Sequence, residues 1–533
     1  MKPRRLRSSF TVVLLLWASV ALARAQTAGT EQLGQVNFPV SCRAEVQPDI
    51  NRAVALLHSF WFDASAKAFE AVAQQDPKCA MAYWGMAMTR LGNPFTWPPN
   101  PKTVQEGWAV VEQAKAIGGN TPREQAYIAA VEALYKDAAT TDHRTRALAY
   151  ERAMEQLHRT HPDDREAAVF YALALNATAL PADKTYTNQL KAAEILEVIF
   201  TEQPNHPGVA HYLIHSYDYP PIADRGLSAA RRYASIAPAA PHALHMPSHI
   251  FTRRGYWQES IDSNRASAAA AKNQFDQLHA MDYLAYGYLQ LGQDAAAKRV
   301  LDDMVTIDKV TFEHFVTAYA MATIPSRYAL ERRQWADAAA LTLPKPEFPW
   351  NRFPQSEAVL VYAHALGAAR SGNVDAARKD LERLQALREA LATAKLGYWV
   401  EQVEIQQQVA TAWVALAQGK RDEALQIMRA AADREEATEK HPVTPGPVIP
   451  ARELLGEMLL AADQPRAALQ AFEASMQVEP NRFWGLYGAA HAAELSHDRD
   501  KAKTYYAQLL GMAERADSER PALAQAKEFM GKR

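Results

Sequence analysis

Residues 454–480 read LLGEMLLAADQPRAALQAFEASMQVEP, and the spacing of small and apolar residues in them decides the fold. Leu454, Leu455, Met458, Leu459 and Ala462 recur at three- and four-residue intervals, the period of one helix face. Gly456 lies among them as a position where a second helix can come close. A polar turn follows. Ala468, Phe472 and Ser475 then form the core face of a second helix, which Pro480 ends. The unit from Leu486 to about Leu510 repeats this with Ala490, Ala502 and Tyr506. Gly255-Tyr256-Trp257, Gly372-Asn373-Val374 and Gly419-Lys420-Arg421 mark further turns between paired helices. No alternating run is long enough for a sheet, so the expectation is an all-α chain.

These residues resemble the tetratricopeptide repeat, whose period is about 34 residues. The resemblance covers most of residues 48–515. It implies a right-handed α-solenoid of roughly ten helix pairs with a concave face that binds something. Residues 26–47 would lead into the array, and residues 516–533 would close it as a helix or tail. Three Pro-rich stretches, at 93–99, 343–354 and 441–450, forbid helix locally and are expected as loops at bends or folded over the groove. Ala80-Met81-Ala82-Tyr83-Trp84-Gly85-Met86-Ala87, His211-Tyr212-Leu213-Ile214-His215, His245-Met246-Pro247-Ser248-His249 and Thr444-Pro445-Gly446-Pro447 with Pro450-Ala451-Arg452-Glu453 look similar to a bacterial family of exported repeat proteins of unassigned function.

With 48 % hydrophobic and 22 % charged residues, the 533-residue chain is too balanced for disorder. Lys2, Arg4, Arg5 and Arg7, the apolar run Phe10–Ala23 and the small-x-small triplet Ala23-Arg24-Ala25 read as a signal peptide, residues 1–25, cut before Gln26. The expected location is periplasmic or secreted. No later stretch approaches the ~20 apolar residues of a membrane helix. Cleavage takes five positive charges and no acids, moving the formal net charge from −2 to −7. That argues against nucleic acid or anionic lipid as the main partner. Cys42 and Cys79 are expected to pair in an oxidising compartment, tying the lead-in segment to the second helix and contributing roughly 4 kcal/mol.

Six of the sixteen histidines lie between residues 206 and 249. His211 and His215 are four apart and share a helix face, as do His245 and His249. Each member of the second pair follows its counterpart by 34 residues, one full repeat. His211 and His215 each sit one residue beyond a packing position, and the tetratricopeptide resemblance implies that this flank of the first helix lines the concave groove, with His245 and His249 in the equivalent place. A transition-metal site on these four imidazoles is the first expectation, with zinc, copper or nickel as the metals imidazole suits. An organic-ligand or peptide groove and a merely structural histidine stack are the competing readings. His242, His279 and Asp282 are expected around the site, His279 and Asp282 as a fifth ligand or an acceptor behind one, with Tyr286 behind them. Arg327, the i, i+4 carboxylates Glu453 and Glu457, and His491 are further candidates for the groove. Trp335, Trp399 and Trp413 read as packing residues.

No nucleophilic triad, phosphate-cradling glycine loop or His-Glu-x-x-His run is present in the sequence. The expected function is therefore a binding scaffold for a peptide, protein or small ligand. The alternative is a metal-dependent hydrolase with Asp282 as base.

Overall fold

The computed structural model describes residues 31–531, and the leader reading falls outside them. Among the described residues there is no strand; the chain is helix from Gln47–His58 to Pro521–Gly531, broken by turns and short 3-10 segments. Each helix packs on the next in sequence, so the molecule is an α-solenoid of consecutive helix pairs. Phe472 shows how small residues set the spacing. A Cβ on Gly456 would meet its ring at 2.7 Å and a Cβ on Gly488 at 2.3 Å. The ring, 1 % exposed, therefore fills the space left by glycines on the first helices of two successive pairs. Losing it would cost about 3–5 kcal/mol.

The lead-in segment runs without helix from residue 31 to Arg43 and meets the array through Cys42, whose sulfur is bonded to Cys79 with Cα atoms 4.9 Å apart. Cys79 caps helix Ala80–Arg90, the third described helix rather than the second expected. The Pro-rich stretches were expected at bends or folded over the groove, and the structure fills the groove. The array curls until its last pairs dock on its middle. Gly255 turns at φ 65°, and a Cβ there would meet the carbonyl oxygen of Pro480 at 2.4 Å. The Gln290 side chain accepts from the Phe483 backbone N–H at 2.9 Å. Arg520 donates to the Leu289 carbonyl at 3.0 Å and pairs with Asp294. Arg482 is wholly buried at this seam between Glu331 and Glu453, at 2.6 and 2.9 Å, so its desolvation is offset by two carboxylates.

The third Pro-rich stretch crosses the interior. Lys440 Nζ donates to Asp218 at 2.6 Å, and Arg327 donates to the carbonyls of Gly446 and Pro447 at 2.7 and 2.8 Å. The first stretch closes the same interior from the other side, with the Phe95 ring stacked on His215 at 4.0 Å between centroids. The middle stretch tucks Phe348 and Trp350 into the apolar core. Among the described residues no helix is long and apolar enough to cross a membrane.

Candidate metal centre

His211 and His215 stand on helix Pro207–Tyr217. The first helix of the next pair is Pro241–His245, continued through Met246 into Pro247–Arg253. Pro247 has no N–H to give, but Met246 keeps helical dihedrals (φ −55°, ψ −34°), so His245 and His249 still share a face. His279 stands on helix Gln274–Gln290, whose start is capped by the Asn273 side chain.

The four imidazoles do not meet at one centre. The ring nitrogens of His211, His215 and His242 lie within 4.8 Å of one another, and those of His245, His249 and His279 form a second such group. Between the groups, His215 and His249 are 6.0 Å apart by centroid. The cause is the repeat itself. Equivalent positions on neighbouring first helices are separated by the helix spacing, about 8–10 Å, so each pair draws its third imidazole locally.

In both i, i+4 pairs the Nε2 atoms face each other at 3.1 Å. Their protonation differs. His245 Nδ1 donates to Asn264 Oδ1 at 2.6 Å, and the Asn264 amide nitrogen is committed to the Ser260 carbonyl at 2.7 Å, which fixes that acceptor. His249 Nδ1 donates to the Asp218 carboxylate at 2.9 Å. A neutral imidazole carries one N–H. Both Nε2 atoms of this pair therefore present lone pairs to one another. His211 is likewise held with its proton on Nδ1, donating to the His58 carbonyl at 2.6 Å. His215 has no such restraint on Nδ1 and can donate from Nε2 to His211. His242 Nε2 is buried without a partner.

Burial is the largest influence on every one of these rings. It pushes His215, His242, His245 and His279 well below the ordinary imidazole range and His211 down to about 3. His249 is lowered too, although Asp218 opposes burial there. All six are neutral near pH 7. Burial pushes Asp218 upward, yet Lys440, Arg253 and His249 outweigh it and hold the carboxyl low. Arg253 donates to its other oxygen at 2.9 Å.

A third constellation, His58, Glu166 and His206, escaped the sequence reading apart from His206. It is closed on itself. His206 Nδ1 accepts from the Val209 N–H at 3.2 Å, so its Nε2 donates to Glu166 at 2.8 Å. His58 Nε2 reaches the other Glu166 oxygen at 2.8 Å and its Nδ1 bonds Tyr212 at 3.0 Å. No ring-nitrogen lone pair is left over, and the network aims the His58 carbonyl at His211.

The remaining predicted residues go elsewhere. Asp282 pairs with Arg327 at 3.3 Å instead of backing His279, so neither the ligand nor the acceptor role expected of it holds. Arg327 does point inward, but its donors grip the Pro-rich loop. The Tyr286 hydroxyl donates to Glu479 at 2.9 Å and accepts from Arg482 at 2.6 Å. Glu453 is buried against Arg482, and Glu457 pairs with Arg333 and Arg370. The seam between turns of the array consumes these carboxylates. His491 accepts from Gln525 at 2.9 Å in the last pairs, apart from the other histidines. Arg370 lies between Trp335 and Trp413, 3.9 and 4.0 Å from their centroids. Asp218 and Asn264, the acceptors that orient the second pair, carried no signal in the sequence.

No family model matches the chain, and no curated protein does. Among solved structures it is similar to a monomeric mutant of IFIT1 with Gppp-AAAA, at 14 % identity over 91 % of this chain and 98 % of that one, with a TM-score of 0.39. It is similar to Cut9 with Hcn1 of the APC/C, at 13 % identity over 97 % and 96 % with a TM-score of 0.32, and to Naa15/Naa10 bound to HypK-THB, at 12 % identity over 97 % and 77 % with a TM-score of 0.25. Likeness at these scores carries no functional inference.

Proposed function

We propose that the protein is an exported repeat protein that binds a late first-row transition metal, zinc, copper or nickel, on Nε2 of His245 and His249 with His279 as third ligand. The observation that carries this is the pair of opposed lone pairs 3.1 Å apart, each kept proton-free by a fixed acceptor at Nδ1. Two lone pairs at that distance repel unless a cation lies between them. With metal–nitrogen bonds of ~2.0–2.1 Å, that separation subtends an angle of about 100° at the metal, close to tetrahedral. An imidazole whose other nitrogen donates to a carboxylate or an amide oxygen is the usual metal-ligand arrangement. The loops that fill the groove favour a buried ion over an extended peptide. Asp282 is engaged by Arg327, so the base named for the hydrolase alternative is not free.

The test is metal analysis of untagged protein, followed by titration of metal-free protein with Zn(II), Cu(II) and Ni(II). One equivalent is expected to bind with sub-micromolar affinity and to raise the melting temperature. Binding no tighter than millimolar, or unchanged binding in His249→Ala, overturns the metal reading. Export is a separate part of the proposal, supported by the leader pattern and by the bonded Cys42 and Cys79. Intact mass of the native protein is expected to match a chain beginning at Gln26 with no free thiol. A chain still carrying residues 1–25 would reject cleavage.

A further inference from the structure

A cavity of about 270 Å³ lies between helices Phe315–Glu331, Pro354–Arg370, Gly397–Ala417 and Arg421–Glu436, roofed by the Pro-rich loop. Its walls are aromatic: Tyr319, Tyr362, Tyr398 and Trp399. Tyr319 and Tyr362 are 8 % and 3 % exposed, line this cavity, and have hydroxyls that bond no described residue. Buried phenols normally find a partner. Here the cavity is where one can be.

The charges around the cavity are not balanced. Each base is already paired: Lys184 with Glu439 at 2.7 Å, Arg253 and Lys440 with Asp218 at 2.9 and 2.6 Å, and Arg452 with Glu436 at 2.6 Å. Two acids are left over. Glu435 accepts only the backbone N–H of Ala451, at 2.7 Å. Glu479 accepts from Tyr286, and its nearest cation, Arg482, is 3.8 Å away and committed to Glu331 and Glu453. Glu479 with no cation of its own and a Glu435 carboxyl able to ionise, inside a box of electron-rich rings, make a site that favours a positive charge.

We propose that this cavity binds a small organic ammonium ion, its charge met by Glu435 and Glu479 and its methylene or methyl groups by the four rings. The state of Glu435 agrees. Burial pushes its carboxyl up to about 8, with Glu479 and Glu436 adding to the rise and the Ala451 N–H and Arg482 opposing it. A free acid near pH 7 is expected to give up its proton when an ammonium ion arrives beside it. The Tyr319 and Tyr362 oxygens can accept from an ammonium N–H.

Calorimetric titration of the full chain at pH 7 tests this, with butylammonium and choline as probes and pentanol and dimethylbutanol as their uncharged counterparts. Repeating it in buffers of different ionisation enthalpy reads proton release. The expected result is binding of at least one ammonium probe, at least tenfold tighter than its neutral counterpart, with release of a proton. Glu435→Gln should lower that affinity at least tenfold and abolish the release. Tyr362→Phe, which removes one hydroxyl and leaves the ring, should weaken a probe that has N–H donors more than choline, and serves should Glu435→Gln not fold. Neutral counterparts binding equally well, no binding at ~10 mM, or unchanged affinity in both variants would overturn the proposal. His249→Ala should leave ammonium binding intact, so this site and the metal site fail separately.

Discussion

The His211–His215 pair and the His245–His249 pair occupy the same places in consecutive repeats and hold their Nε2 atoms at the same 3.1 Å. In the first pair one ring is free to donate to the other, and the short contact can be an ordinary hydrogen bond. In the second, Asn264 and Asp218 take both Nδ1 protons and leave two acceptors opposed. Equivalent positions thus carry different chemistry, and the difference lies in what stands behind each ring.

The largest expected effect breaks the comparison directly. His249→Ala should lower metal affinity by ~100-fold or more and abolish the metal-induced rise in melting temperature, while His215→Ala should cost no more than a few-fold. Equal losses, measured by calorimetric titration, would mean that the two pairs act as one site. The ¹⁵N shifts of the metal-free protein check the cause: His245 and His249 should both be Nδ1–H tautomers and His215 Nε2–H.

Asp218→Asn sharpens the contrast. It keeps the shape but removes the carboxylate behind His249 and the partner of Arg253 and Lys440. Metal affinity should fall roughly 10–100-fold. Folding stability should fall by about 3–5 kcal/mol, because two buried cations lose their partner. Denaturant unfolding of metal-free protein reads the second effect by itself.

A smaller effect comes from half-buried histidines outside both pairs. Burial lowers His441 to about 3 and His314 to about 4, and each accepts a backbone N–H on Nδ1, from Val443 at 3.2 Å and Val316 at 3.3 Å. The unfolded chain protonates these rings near pH 6.5 while the folded one resists. Below that pH the unfolded state holds more protons, so stability is flat above about 6.5 and falls as pH drops toward 4. The six imidazoles of the two groups, buried neutral in the same way, add to this. Melting temperature of metal-free protein should therefore decline by more than about 5 °C between pH 7 and 5, and His441→Asn should flatten a part of that slope. A flat profile would reject neutral burial of these rings. The smallest effect is His497→Ala, at an exposed turn, which should change neither metal affinity nor stability by more than ~0.5 kcal/mol.

The helix pairs were legible because Gly456, Phe472 and their counterparts recur with the period that packing requires. The two histidine pairs were legible for the same reason, since a 34-residue shift between identical spacings is a local statement. What lies behind them was not. Asp218 sits just past the end of its helix and Asn264 on the partner of the next pair, and neither belongs to a periodic pattern. Glu453 and Glu457 have the spacing of an inward-facing pair, and helical geometry alone does not reveal that Arg482, Arg333 and Arg370 converge on them. Those arginines arrive through the docking of one turn of the array on another. The sequence marks the Pro-rich loops as non-helical, but only tertiary contacts such as Lys440 with Asp218 place one of them in the interior.

That last contact joins residues 222 apart in the chain. Synthesis proceeds from the N-terminus at roughly 5–20 residues per second, so ~10–45 seconds separate the two ends of the bond. Once His279 is made, 61 residues after Asp218, all six imidazoles exist, with nothing above them until Lys440 arrives. On the proposed metal reading, an ion present during those seconds has the advantage, and one that comes later must wait for the roof to lift. Occupancy would then record when and where the chain was finished as much as affinity.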